Sequence, residues 1–154
     1  MSKSLARVVA VLQSAGVVTA PLEMPGETRT AVQAAEAAGC ALDQIVKSIL
    51  FQGKRGLYLF LTAGSNQVDA AKASALAGEE LGRADAAAVR AVTGFAIGGV
   101  APIGHLTASP LWMDPKLMEF KQVWAAAGTP RHIFAIDPSR LRDLAGAEVA
   151  DFTA

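Results

Sequence analysis

Ile45-Val46-Lys47-Ser48-Ile49-Leu50-Phe51-Gln52, then Gly53-Lys54-Arg55-Gly56, then Leu57-Tyr58-Leu59-Phe60-Leu61-Thr62-Ala63-Gly64 is the stretch that decides the fold. Two runs rich in β-branched, aromatic and apolar residues flank a four-residue segment with glycine at both ends, which reads as a hairpin. In a strand, alternate side chains face opposite sides. Ile45, Lys47, Ile49 and Phe51 therefore share one face, and Lys47 is the only polar group on it. A lysine there either lays its stem along apolar surface with its head in water, or holds an ammonium over a cleft.

Working outward, the spacing of Leu5, Val8, Val9 and Leu12 predicts an amphipathic first helix rather than a signal peptide. Val17–Leu22 reads as a strand, followed by the loop Met24–Thr30. Thr30 is a cap for a helix over residues 31–38 that Gly39 ends. Asn66 or Asp69 starts an alanine-rich helix, and Asp85 starts another. Leu111–Asp114 reads as a strand, and residues 115–120 as a helical turn that Asp114 caps. Residues 122–128 and 131–137 read as strands around the turn Gly128-Thr129-Pro130. Asp137 with Pro138 opens a helix that Gly146 ends, and residues 148–153 close the chain as a strand. Strands dominate and helices fall between them irregularly. The expectation is an α+β fold, one mixed-sheet domain over residues 1–154 with a curved central sheet flanked by helices.

Composition narrows the function. The chain has 154 residues, 52% hydrophobic and 18% charged, enough apolar content for one ordinary core. No stretch reaches the roughly 18 uncharged apolar residues of a membrane span. One cysteine, Cys40, excludes a disulfide framework and a cysteine-based metal site, and a reducing cytoplasm is the simplest setting. Fourteen basic residues balance fourteen acidic ones, which argues against an extensive nucleic-acid face but permits contact with the end of a nucleic acid, where few phosphates are neutralised.

The segment Gly94–Gly104, with four glycines and Pro102, is the second chemical feature. Glycines let backbone N–H groups approach a ligand closely, and such a nest can hold a phosphate or the oxyanion of an ester under attack. The same composition also makes a tight structural turn. It lacks the Gly-Lys-Ser/Thr ending of a P-loop and the spacing of a dinucleotide fingerprint. His105 and His132 have no partners at zinc-ligand spacing. Ser48, Thr93 and Ser109 lack the elbow of a covalent hydrolase. What remains is one strand lysine and a loop of backbone donors, which suits a reaction whose nucleophile is water.

Residues 45–51, Thr93–His105, Leu111–Asp114 and Ala126–Leu141, in that order, resemble the YbaK/prolyl-tRNA-synthetase-associated editing domain, and the likeness runs from about Glu23 to the C-terminus. The resemblance implies a free-standing, metal-independent deacylase that cleaves a mischarged amino acid from the acceptor end of a tRNA. The tRNA is expected to be tRNA(Pro), with prolyl-tRNA synthetase a further candidate partner and no cofactor. It implies Lys47, Gly98 and Gly99 as catalytic groups. The implied substrate-binding set is Thr30, Ser48, Val100, Ala101, Pro102, Gly104, Asp114, Gly128 and His132. Ser48 stands where alanine-specific members carry asparagine, so the amino acid removed stays open. A non-catalytic tRNA- or synthetase-binding module and a small-molecule esterase are the alternative readings.

Overall fold

The structure is a computed structural model that describes residues 2–26 and 30–154. Three residues of the expected loop, Glu27 to Arg29, lie outside the described residues. The elements run α1 (Lys3–Ser14), β1 (Leu22–Glu23), α2 (Ala31–Ala38), β2 (Ile45–Gly53), β3 (Gly56–Ala63), α3 (Ala70–Ala77), β4 (Gly82–Arg83), α4 (Ala86–Thr93), β5 (Leu111–Met113), β6 (Val123–Thr129), β7 (His132–Ile136), α5 (Pro138–Ala145) and β8 (Glu148–Val149). Short 3-10 turns cover Leu42–Gln44 and Pro115–Glu119. The strands form one mixed sheet in the order β1-β7-β6-β2-β3-β5-β8, with β4 also beside β2. This is the α+β, single mixed sheet that the strand-rich pattern predicts. No helix among the described residues is long and apolar enough to cross a membrane.

The hairpin β2–β3 is the longest ladder, from Val46↔Ala63 to Gly53↔Gly56. Its tip is tied by Glu79, whose carboxylate accepts the N–H groups of Lys54 (2.6 Å) and Arg55 (3.2 Å) and the Tyr58 hydroxyl (2.6 Å). Side-chain alternation then divides the core. Val46, Leu57, Leu59 and Leu61 join Leu5, Val8 and Leu12 of α1, Val89 of α4, Leu141 of α5 and the segment Phe95–Ile103 on one face. Tyr58 and Phe60 join Trp112, Phe152 and Ala73 of α3 on the other, where the Phe60 ring stacks on Trp112 at 5.2 Å. Ile45 packs on that second face too, against Ala34 and Ala35 of α2 and beside Trp124. Each large side chain so buried contributes about 1.5–3 kcal/mol.

The helix ends follow the sequence. Thr30 forms a capping box with Gln33, and Gly39 ends α2 in the left-handed region. Asp69, rather than Asn66, caps α3, and Asp85 and Asp137 cap α4 and α5. Two strand expectations are corrected. Residues 17–21 are irregular and Val18 is fully exposed, so only Leu22 and Glu23 pair, with Ile133 and His132. The closing strand shrinks to Glu148–Val149, because the chain then turns away to bury Phe152 and leaves one bridge, Val68↔Thr153.

Candidate active site

The sheet has a break in its middle. β2 pairs in parallel with β6 only at Ile45↔Trp124 and Val46↔Ala125, and on the same edge meets β4 only from Phe51↔Arg83 onward. Between these, residues 47–50 have no strand partner on that edge among the described residues. The cause lies in β6. Its register with β7 shifts between Ala126 and Thr129, around Gly128 at φ 97°, and such a bulge bends a strand away from its neighbour. The break opens into a cleft of about 260 Å³. Thr30, Ala31 and Ala34 of α2, residues 45–49 of β2, Gly98, Val100, Trp124, Ala126, Thr129 and His132 line it, with Met24, Pro130 and Ile133.

Lys47 leaves β2 on the face that carries Ile45 and Ile49, as alternation requires. Its ammonium donates to the Asn66 carbonyl at 2.5 Å. Burial lowers its pKa below the usual lysine value, and the carboxylates of Asp43 and Asp114 pull it back up. Asp43 is fixed by Ser65, through its N–H at 2.8 Å and its hydroxyl at 2.5 Å, and the hydroxyl's bond leads in holding that carboxyl below the usual range. Asp114 is buried and accepts from the Ala63 N–H (3.1 Å), the Asn66 side-chain amide (2.9 Å) and the Lys116 N–H (2.9 Å). The expected substrate contact at Asp114 is therefore corrected. It holds the Asn66 loop against which Lys47 rests.

The glycine-rich segment is also divided. Ala96 to Gly99 is a turn in which the Gly99 N–H donates to the Ala96 carbonyl at 3.0 Å and Gly98 takes φ 94°, the positive value that favours glycine at a turn's third position. The expected Gly99 donor is thus spent inside the turn. Gly99 acts by being small, since a Cβ there would lie 2.9 Å from the Thr129 carbonyl carbon. The close approach seats Gly98 and Val100 at the cleft. Ala101 is fully buried, and its carbonyl bonds His105 Nε2 at 2.5 Å. Burial leads in lowering the His105 pKa below 6.5. Pro102 and Gly104 line a different cavity of about 300 Å³, with His105, Ser109 and Leu111, so neither borders the cleft. Gly128 lies under α1, where a Cβ would come 2.8 Å from the Ser4 carbonyl oxygen.

Of the expected residues, then, Lys47, Ser48, Gly98, Val100, Thr30 and His132 meet in one cleft. Gly99, Ala101, Pro102, Gly104, Asp114 and Gly128 support it or lie elsewhere. His132 Nδ1 shares a 2.7 Å hydrogen bond with the Thr129 hydroxyl, which also accepts from Arg131 N–H at 3.1 Å. Sequence reading missed Asn66 as the lysine's acceptor, Asp43 as a carboxylate acting on it, and Thr129 as the partner of His132. It also missed the small face Ala31/Ala34, whose i, i+3 spacing was a visible signal. Among the described residues no group of three His, Cys, Asp or Glu side chains gathers that could hold a metal ion.

The chain as a whole has counterparts. The model of the aminoacyl-tRNA editing domain matches residues 25–144. A crystal structure of a candidate trans-editing enzyme for prolyl tRNA synthetase is 46% identical, with TM-score 0.93 over 100% of this chain and 99% of its own. The crystal structure of hypothetical protein APE2540 is 28% identical, with TM-score 0.87 over 96% of this chain and 99% of its own. The uncharacterized protein YwhH of Bacillus subtilis (strain 168) is 29% identical over 128 residues, 82% of each chain. With the family model spanning the cleft and most of the chain around it, this protein belongs to the aminoacyl-tRNA editing domain family.

Proposed function

We propose that this chain is a trans-acting deacylase that hydrolyses the ester joining a wrong amino acid to the terminal ribose of tRNA(Pro), without a metal ion. One observation carries the reading: Lys47, Gly98 and Val100 line a single cleft at the break in the sheet. The 46% identical candidate trans-editing enzyme for prolyl tRNA synthetase supports the choice of tRNA. An aminoacyl ester is already activated, so orientation and stabilisation of the developing oxyanion can supply much of the rate. An ammonium has three N–H donors. Asn66 takes one, leaving two for the phosphate or ribose of the acceptor end. Water attacks the carbonyl. The apolar walls Ile45, Ile49, Ala34 and Ala126 favour a small side chain on the amino acid.

The test is a deacylation panel with tRNA(Pro) charged with alanine, cysteine, serine, 2-aminobutyrate and proline, with and without a chelator. Chelator-insensitive hydrolysis of at least one non-cognate ester, with proline spared, is the expected result. Binding of charged tRNA without hydrolysis of any of them would instead favour a binding module.

A further inference from the structure

The deacylase reading needs a donor for the oxyanion, and the Gly99 N–H is not available. The register of the sheet supplies another. On β3 the Leu59 N–H donates to the Pro110 carbonyl and the Leu61 carbonyl accepts from Asp114 N–H, so odd-numbered residues of β3 point their main-chain groups toward β5. Main-chain groups alternate along a strand, and in an antiparallel pair facing residues exchange both hydrogen bonds only at every second position. Tyr58, Phe60 and Thr62 therefore bond β2, at Phe51, Ile49 and Lys47. The main-chain groups of Val46, Ser48 and Leu50 must then face the other way, into the break.

Val46 is taken up by the last rung with β6. Ser48 is the next residue of that parity. Its ladder partner would be the segment after Ala126, where β6 bulges away. Ser48 lines the cleft, yet its hydroxyl is buried without a hydrogen-bond partner, so the main chain is what the residue presents. We infer that the Ser48 N–H is the oxyanion donor of this site and that the Ser48 carbonyl accepts from the substrate α-ammonium. The aminoacyl group takes the place of one strand residue beside β2, the way an extended peptide adds to a sheet edge. In the step itself the water oxygen bonds to the ester carbon, and the carbonyl π pair moves onto the oxygen that Ser48 N–H holds. That pair returns as the bond to the ribose oxygen breaks, and a proton from the attacking water passes to the ribose oxygen. Free amino acid and an intact tRNA hydroxyl result.

The inference rests on the deacylase reading, and one experiment separates the two. Ser48 is replaced in the full chain by the α-hydroxy acid of serine, which turns the 47–48 amide into an ester, deletes the N–H and keeps the side chain, while weakening the Lys47 carbonyl as an acceptor toward β3. A fall in kcat of about 100- to 1000-fold with little change in KM is expected. Unchanged kcat in a folded variant overturns the assignment while leaving the deacylase intact. A wild-type protein inert on every charged tRNA fails the functional reading instead. Hydrogen exchange at the Ser48 amide of the unmodified protein does not depend on the variant folding. It slows when the cleft is saturated with a non-hydrolysable aminoacyl amide of 3′-amino-3′-deoxyadenosine, and exchange that stays the same with that analogue bound also refutes the assignment.

Discussion

Replacing Asp114 with alanine removes an acceptor that three donors share: Ala63 N–H, Lys116 N–H and the Asn66 side-chain amide. The Ala63 N–H lies in the core, and leaving such a donor without an acceptor costs about 1–3 kcal/mol. Loss of the cap over Lys116 adds about 1 kcal/mol. The Asn66 amide is half-buried and can turn to water, so it adds little. Relief of the carboxylate's own desolvation works the other way. The net loss is about 3 kcal/mol, a large share of the roughly 5–15 kcal/mol that holds a domain together. Urea unfolding followed by circular dichroism measures it. Asp114→Asn, which keeps one acceptor oxygen, should lie between wild type and Asp114→Ala. The same replacement frees the Asn66 carbonyl that steadies Lys47, so kcat should fall as well. A loss below about 1 kcal/mol with an unchanged denaturant slope would refute the reasoning, since three hydrogen bonds on a buried carboxylate cannot be that cheap to lose.

Lys47→Met keeps the stem and removes the charge, and should lower kcat for deacylation about a hundredfold or more in single-turnover assays. Gly99→Ala forces a methyl against the Thr129 backbone, so the turn lifts from the cleft and kcat/KM falls while circular dichroism keeps the native spectrum. Thr30→Ala removes the capping box of α2 and should cost about 1 kcal/mol in urea unfolding. His105 has a folded pKa below its ordinary 6.5, chiefly through burial, so the unfolded chain binds the proton first as pH falls. Stability is therefore lost as pH drops through 6.5 toward the folded value, and a urea-midpoint series from about pH 7.5 to 5 should slope less in His105→Gln.

Much of the fold could be read from local chemistry. The hairpin β2–β3, the caps Thr30, Asp85 and Asp137, and the turn between β6 and β7 are all short-range patterns in neighbouring residues. The parallel pairings could not be read that way. β2 meets β6 and β3 meets β5 across long stretches of chain, and nothing in either strand names its neighbour. The break in the sheet follows from those pairings, so the reason that Lys47 and Ser48 border a cleft stayed hidden although Lys47 itself was conspicuous. The glycine-rich segment misled because its composition is uniform while its roles are not. Gly98 forms a turn at the cleft, Gly99 spends its amide on Ala96, and Gly104 lies by the backbone of α1. Val17–Leu22 carries strand-forming residues, yet Val18 has nothing to pack against and propensity alone does not make a strand.

Glu79 clasps the tip of the hairpin, far along β2 from Lys47, and its effect is felt at the opposite end. Strand residues alternate, so sliding β2 by one position would turn Lys47 toward α1 and put a different amide at the break. By gripping Lys54, Arg55 and Tyr58 at once, Glu79 works like the stop on a ruler. Substitutions at this remote corner therefore act on the register of β2, and through it on Lys47 and Ser48, without touching the cleft.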